Sequence, residues 1–146
     1  MTNLLVCAPN FYGVKYEINA WMDVDVSVDS KIAHLQWLRM CDRLIRSGAY
    51  LRYIEPSPDF PDMVFTANAG LVKDKTVILS NNRHKERQGE SPLFKQWFLE
   101  YGYRVIELPK DVYFEGAGDA LFFNNTLFMG HGFRTSRESH RIIANA

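Results

Sequence analysis

The 146-residue chain has no block of like charge. Its seventeen basic and seventeen acidic side chains are interspersed and cancel to a formal charge of zero. A nucleic-acid partner needs a clustered basic footprint and an anionic membrane surface a polybasic one, so neither partner is expected. Long hydrophobic runs are missing too: stretches such as Thr76-Val77-Ile78-Leu79 are far too short to span a bilayer. Residues 1–10 show no basic leader ahead of an apolar segment, so no secretory signal is expected and the expected location is cytoplasmic. Cysteine is scarce, and Cys7 and Cys41 read as buried reduced thiols rather than a disulfide framework. The four histidines, His34, His84, His131 and His140, have no paired spacing, so no metal site and no cofactor are implied.

What is present is a chain with 47% apolar residues, enough for one well-buried core, read as a single domain over residues 1–146. Residues 4–8 form a short apolar run closed by Pro9-Asn10, the pattern of a buried strand. Over residues 29–46, Ile32, Leu35, Leu38, Cys41 and Ile45 recur at helical spacing, with Asp29 or Ser30 to cap the start and Gly48 to end it. A strand at 50–54 follows, then a proline-rich loop at 56–61. A hairpin over 69–79 turns at Asp74-Lys75. The next helix is signalled by Ser91 as cap, Pro92 in the first turn and Gly102 as terminator, before a strand at 103–108. The order then restarts, with a hairpin around Asn124-Asn125 and a helix opened by the capping-box pair Thr135 and Glu138.

The two hairpins match with a shift of fifty: Leu71 to Leu79 shares its apolar pattern and turn position with Leu121 to Met129. A strand–strand–helix–strand order repeating about every fifty residues indicates modules that cannot bury their apolar faces alone. About two and a half modules are counted, so the missing surface is expected from further chain, a partner or self-association.

Chemistry-bearing residues fall at matched points of this repeat. Before the first strands stand Asp62, Phe65 and Asn68, then Glu115 and Asp119; after the second strands stand Arg83 and Arg134. Taken singly, these residues have ordinary readings: Asp62 as a turn cap, Glu115 and Asp119 as solvated loop acids, Arg83 as a surface charge. Recurrence in the repeat favours a shared site. Carboxylates grip a planar guanidinium by paired, charge-assisted hydrogen bonds, and an arginine fork grips a carboxylate by the same geometry. An arginine-like zwitterion carries both ends. Gly116 and Gly118 are expected to let backbone crowd the pocket. His131, between glycines, is a weaker candidate for a general base than for a polar loop residue. Cys7 and Cys41 lack the neighbours that activate a thiolate.

Three stretches, Phe-Thr-Ala-Asn-Ala-Gly at 65–70, Phe-Glu-Gly-Ala-Gly-Asp-Ala-Leu at 114–121 and Gly-His-Gly-Phe-Arg-Thr-Ser at 130–136, resemble the amidinotransferase superfamily. That superfamily includes arginine dihydrolase, arginine deiminase, dimethylarginine dimethylaminohydrolase and glycine amidinotransferase. Tyr-Glu-Ile-Asn-Ala-Trp-Met at 16–22 is similar to its N-terminal signature. The resemblance implies an α/β propeller (pentein) of five ββαβ modules, of which this chain would be the N-terminal part. It implies that Asp62 holds the guanidinium, Phe65 walls the pocket and Glu115 orients and charges a catalytic histidine. Asp119 would meet the α-amino group, and Arg134, with Arg83 as a second candidate, the α-carboxylate. Asn68 and Asn19 match the dihydrolase branch, which converts arginine to ornithine. The nucleophilic cysteine and its histidine would lie outside this chain, leaving it inert alone. The alternatives are a non-catalytic binder of guanidino compounds, an amidinotransferase with an amine acceptor, and an interaction module of a translation-factor-like propeller.

Overall fold

The computed structural model of the chain describes residues 2–146. They fall into two compact units, Met1–Thr66 and Ala67–Ala146.

In the first unit, strand β1 (Asn3–Cys7) leads by a long loop to helix α1 (Ser30–Arg46) and strand β2 (Tyr50–Ile54). β1 and β2 pair in parallel, Asn3 opposite Tyr50 and Cys7 opposite Ile54. Parallel neighbours need a crossover, which α1 supplies. Asp29 starts the helix, its side chain accepting from the Lys31 and Ile32 amides at 2.9 and 3.0 Å. Gly48, at φ +89°, ends it in the left-handed region where glycine is unstrained.

The inward face of α1 is not the stripe that the spacing suggested. Trp37, Cys41 and Leu44 pack with Leu4, Val6 and Leu51, whereas Ile32, Leu35, Leu38 and Ile45 are each more than half exposed. The helix is apolar on two faces, and residues 37, 41 and 44 satisfy the helical period as well as residues 32, 35 and 38 do. Tryptophan brings the larger area to bury. Beyond β2, a 3-10 turn at Pro61–Val64 holds Pro61, Asp62 and Met63 buried.

The second unit contains one complete module. A 3-10 turn (Thr66–Ala69) enters β3 (Gly70–Lys73), which pairs antiparallel with β4 (Thr76–Leu79). The short α2 (Lys85–Gln88) and α3 (Glu90–Glu100) follow, then β5 (Arg104–Ile106), parallel to β4. After a 3-10 turn at Gly116–Gly118, β6 (Ala120–Phe123) and β7 (Thr126–Met129) form the next hairpin, and α4 (Arg137–Ala144) follows it. β1–α1–β2 therefore repeats the second half of the module, and β6–β7–α4 repeats its first half and helix. Both hairpins turn on a left-handed residue, Asp74 at φ +53° and Asn124 at φ +52°, the side chains that tolerate this conformation best after glycine. Leu71, Ile78, Phe114, Ala120 and Ile143 form a core between the hairpins and α4, flanked by Leu127 and Met129. Phe94, Trp97 and Phe98 bury the inner side of α3, where Trp97 stacks on Tyr101 at 4.2 Å.

Two helix starts differ from the sequence expectation. α3 begins one residue before Ser91, whose hydroxyl donates to the Ser80 carbonyl at 2.8 Å instead of capping. α4 begins with Ser136, not Thr135, in the cap position. In both cases an acceptor distant in sequence takes the hydroxyl that local rules assign to the helix end.

The reversed face of α1 gives a direct test. Chemical denaturation is expected to show Trp37→Ala destabilising the chain by about 2–4 kcal/mol, as loss of a large packed ring does. Leu35→Ala is expected to cost less than about 0.5 kcal/mol, as exposed substitutions do.

Candidate functional site

The site in the second unit grows out of the two 3-10 turns that precede the hairpins. Asn68 rides on the first; Glu115 and Asp119 flank the second. The second turn is possible only with glycine. Gly116 has φ +59°, and a Cβ there would lie 2.8 Å from the Ala67 carbonyl, the Gly70 amide and the Ser80 hydroxyl. A Cβ on Gly118 would run into the Asn68 amide group. With no side chain in the way, Asn68 Nδ2 donates to the Glu115 carbonyl at 3.1 Å and fixes one turn against the other.

Charged side chains then close around Glu115, which is 1% exposed. Its Oε2 lies 3.2 Å from Arg134 Nη1 and 3.6 Å from Arg87 Nη1. Arg87, on α2, is equally buried, and its other edge donates to both oxygens of Glu90 at 2.8 and 2.7 Å. Its Nη1 also points at Asn68 Oδ1, 3.5 Å away. Arg134 stands in the loop before α4 and forks onto Asp119, with Nε 3.1 Å from each carboxylate oxygen and Nη2 2.9 Å from Oδ1. Thr135 adds a hydroxyl that donates to Asp119 Oδ2 at 2.5 Å and accepts the Glu115 amide at 3.2 Å. Burial pushes the Glu115 carboxyl above its ordinary range, Arg87 and Arg134 pull it down, and Asp119 pushes it up, with burial prevailing.

Of the residues singled out from sequence, the structure brings Asn68, Glu115, Asp119 and Arg134 into one network. Arg83 is exposed and stands over the Tyr113 ring, Cζ 5.2 Å from its centroid. Three candidates belong to the first unit. Asn19 is exposed, its Oδ1 accepting from the Trp21 amide at 3.0 Å. Asp62 is buried, and Phe65, 45% exposed, meets the Tyr12 ring edge-on at 5.8 Å. The His131 ring packs against His140 at 5.4 Å, and His140 Nε2 lies 3.0 Å from the Gly130 carbonyl.

Three members of the network had no sequence signal of their own. Arg87 and Glu90 sit in a polar run with the i,i+3 spacing of an ordinary surface ion pair, and Thr135 reads as a helix cap. Among the described residues no group of three His, Cys, Asp or Glu side chains could hold a metal ion.

The modules and this acid–arginine network define a class. The chain is a homologue of guanidine-modifying enzymes of the amidinotransferase type and matches their N-terminal portion. It is 46% identical over 143 residues to the bifunctional arginine dihydrolase/ornithine cyclodeaminase ArgZ of Synechocystis sp., a match covering 97% of this chain and 20% of that protein. It is 38% identical over 136 residues to the dimethylarginine dimethylaminohydrolase of Mycobacterium tuberculosis, covering 93% of this chain and 44% of that enzyme. The N-terminal domain of ArgZ with bound substrate superposes with a TM-score of 0.91 at 46% identity, covering 98% of this chain and 54% of that one. The chain thus spans a fifth to about half of these relatives. No family model matches it.

The raised Glu115 pKa sets the sign of a pH effect. In the window between the ordinary carboxylate value and the folded value, the native state holds more protons than the unfolded one. Stability present at low pH is therefore lost as pH rises through the folded value. Glu115→Gln removes this dependence. Denaturation between about pH 4 and pH 7 is expected to show the wild type losing ground to the variant as pH rises; the opposite slope would contradict the burial-dominated account.

Proposed function

We propose that this chain is the substrate-holding, N-terminal part of a hydrolase that acts on the guanidinium group of arginine and releases ornithine. The clustering of three acids with two arginines is the observation that carries the reading. Glu90, Glu115 and Asp119 gather around Arg87 and Arg134 at a largely buried place, where Asp119 and Arg134 stay partly open to solvent. An acid and an arginine that remain partly open side by side suit a zwitterion, which brings a cation to the one and a carboxylate to the other. A guanidinium, flat and delocalised, accepts the directional grip of carboxylates. Arg134 keeps 38% of its side chain exposed while Asp119 holds it in place, which suits it to an α-carboxylate. Asp119 is assigned to the α-amino group.

The relatives support the same substrate. ArgZ is an arginine dihydrolase, and its N-terminal domain has been solved with substrate and with product. The neutral Asn68 fits this branch. Both ends of its amide are engaged, Nδ2 by the Glu115 carbonyl and Oδ1 towards Arg87. An aspartate there would lack the donor and add a fourth carboxylate. The roles of Asn19, Asp62 and Phe65 rest on the family resemblance alone.

Turnover in this family is nucleophilic: a cysteine attacks the guanidinium carbon, ammonia departs, and water releases the adduct as citrulline, with a histidine moving protons; a second round with a second water expels the second ammonia and frees the carbon as carbon dioxide, leaving ornithine. Neither cysteine of this chain suits that step. Cys7 and Cys41 are buried, and burial pushes the Cys41 thiol up, away from the reactive thiolate. The nucleophile is assigned to sequence outside residues 1–146.

The protein expressed from its complete reading frame is expected to release ornithine and ammonia from L-arginine, and residues 1–146 alone to release neither. Asn68→Asp is expected to lower ornithine formation by at least about tenfold, the loss that follows when a charge-assisted contact is misplaced. Absence of ornithine, ammonia, citrulline and urea with the complete protein would sink the enzyme reading; arginine binding by calorimetry without turnover would leave a binder.

A further inference from the structure

We propose that Thr135 is a positioning residue that sets the preference of this site for ligands bearing an α-amino group, by fixing the Asp119 carboxylate against the Glu115 backbone. The inference rests on the arginine reading above and deepens it.

Thr135 is 1% exposed, its hydroxyl both donates and accepts, and neither contact serves the fold locally. It donates to Asp119 Oδ2 at 2.5 Å, sixteen residues away, and accepts the Glu115 N–H at 3.2 Å, twenty residues away. Its normal task would be to cap α4. That helix instead starts with Ser136 at the cap position, and no side chain caps it, because the Ser136 hydroxyl accepts the Tyr113 amide at 3.0 Å. A helix N-terminus left without a side-chain acceptor is less stable. The chain therefore gives up a local gain to place one hydroxyl between two acids.

The consequence concerns direction. Arg134 forks onto both oxygens and aligns the Asp119 carboxylate with its own guanidinium, but that guanidinium belongs to a partly exposed loop side chain and moves with it. The hydroxyl singles out Oδ2 as its acceptor and ties that oxygen to the turn bearing Glu115. Oδ1 takes the shortest Arg134 contact, at 2.9 Å. With one oxygen pinned from each side, the carboxylate plane is fixed, and the remaining lone pairs face one way. An ammonium group on the ligand requires such a fixed acceptor; a ligand without that group does not.

The test compares L-arginine with 5-guanidinopentanoate, which has the same guanidinium and carboxylate but no α-amino group, in steady-state kinetics on the protein expressed from its complete reading frame. Thr135→Val is expected to raise KM for arginine by about tenfold with kcat within about twofold and the analogue's KM unchanged, and Thr135→Ser, which keeps the hydroxyl, to restore arginine to within about threefold of wild type. Thermal unfolding of both variants reports whether the fold survives. Equal losses on both compounds, or no loss on either, would overturn the assignment and leave the arginine reading standing. A wild-type protein inert towards arginine and unable to bind it removes both, so the wild-type arm tells the two failures apart.

Discussion

A carboxylate taken out of water must be compensated, and in this chain the burial of Glu115 organises everything near it. Arg87 and Arg134 reach its Oε2 from two different segments, and each arginine is held in turn by another acid, Glu90 or Asp119. Removing one partner from such a buried set typically costs about 3–5 kcal/mol, because it strands the charge that remains. The network is therefore a constraint on how α2, the loop before α4 and the two 3-10 turns are placed. It earns its place through geometry: replacing a buried ion pair by apolar groups is often neutral or better for stability.

The glycines make the compensation possible. Glu115 can approach Asn68 only because Gly116 and Gly118 present no Cβ to the opposite turn. The same repeat that puts a 3-10 turn before each hairpin thus brings two turns to one place. It also explains an open edge. β4 has antiparallel β3 on one side and parallel β5 on the other, whereas β7, among the described residues, pairs only with β6. Leu121, Phe123 and Phe128 on that hairpin are all at least 60% exposed. Modules of this kind bury such faces against neighbours, and the chain spans 54% of the substrate-bound ArgZ domain.

Much of the fold was legible because its signals are local. Asp29 and Gly48 delimit α1, Asp74 and Asn124 mark the hairpin turns, and the fifty-residue offset exposed the module. The failures share one cause: a partner distant in sequence overrides the local rule. Ser91 and Thr135 have the side chains of helix caps, and each is taken by an acceptor from another element. On α1, two apolar faces compete, and only the packing of Trp37 on β1 and β2 decides between them. In the site, Asn68, Glu115, Asp119 and Arg134 could be picked out because they recur in the repeat or sit in distinctive motifs. Arg87 and Glu90 could not, since spacing alone makes a buried i,i+3 pair look like a solvated one. Arg83 was the more visible arginine, and it stands over Tyr113 instead.

The two arginines of the network differ in a way that divides their work. Arg87 keeps only 4% of its side chain exposed and is saturated by Glu90 on one edge, with Asn68 and Glu115 on the other. Arg134 keeps 38% and meets Asp119, Glu115 and the Gly118 carbonyl. A carboxylate arriving from solvent can reach Arg134 without dismantling a buried pair, while any approach to Arg87 must first displace partners that have no water to fall back on. The exposed arginine is thus the one suited to exchange ligands. The buried one is suited to holding Glu115 in place, and it offsets part of the desolvation that raises the Glu115 carboxyl. The same division follows for the acids: Glu90 is buried against Arg87, whereas Asp119, pinned by Thr135, is the more open to solvent.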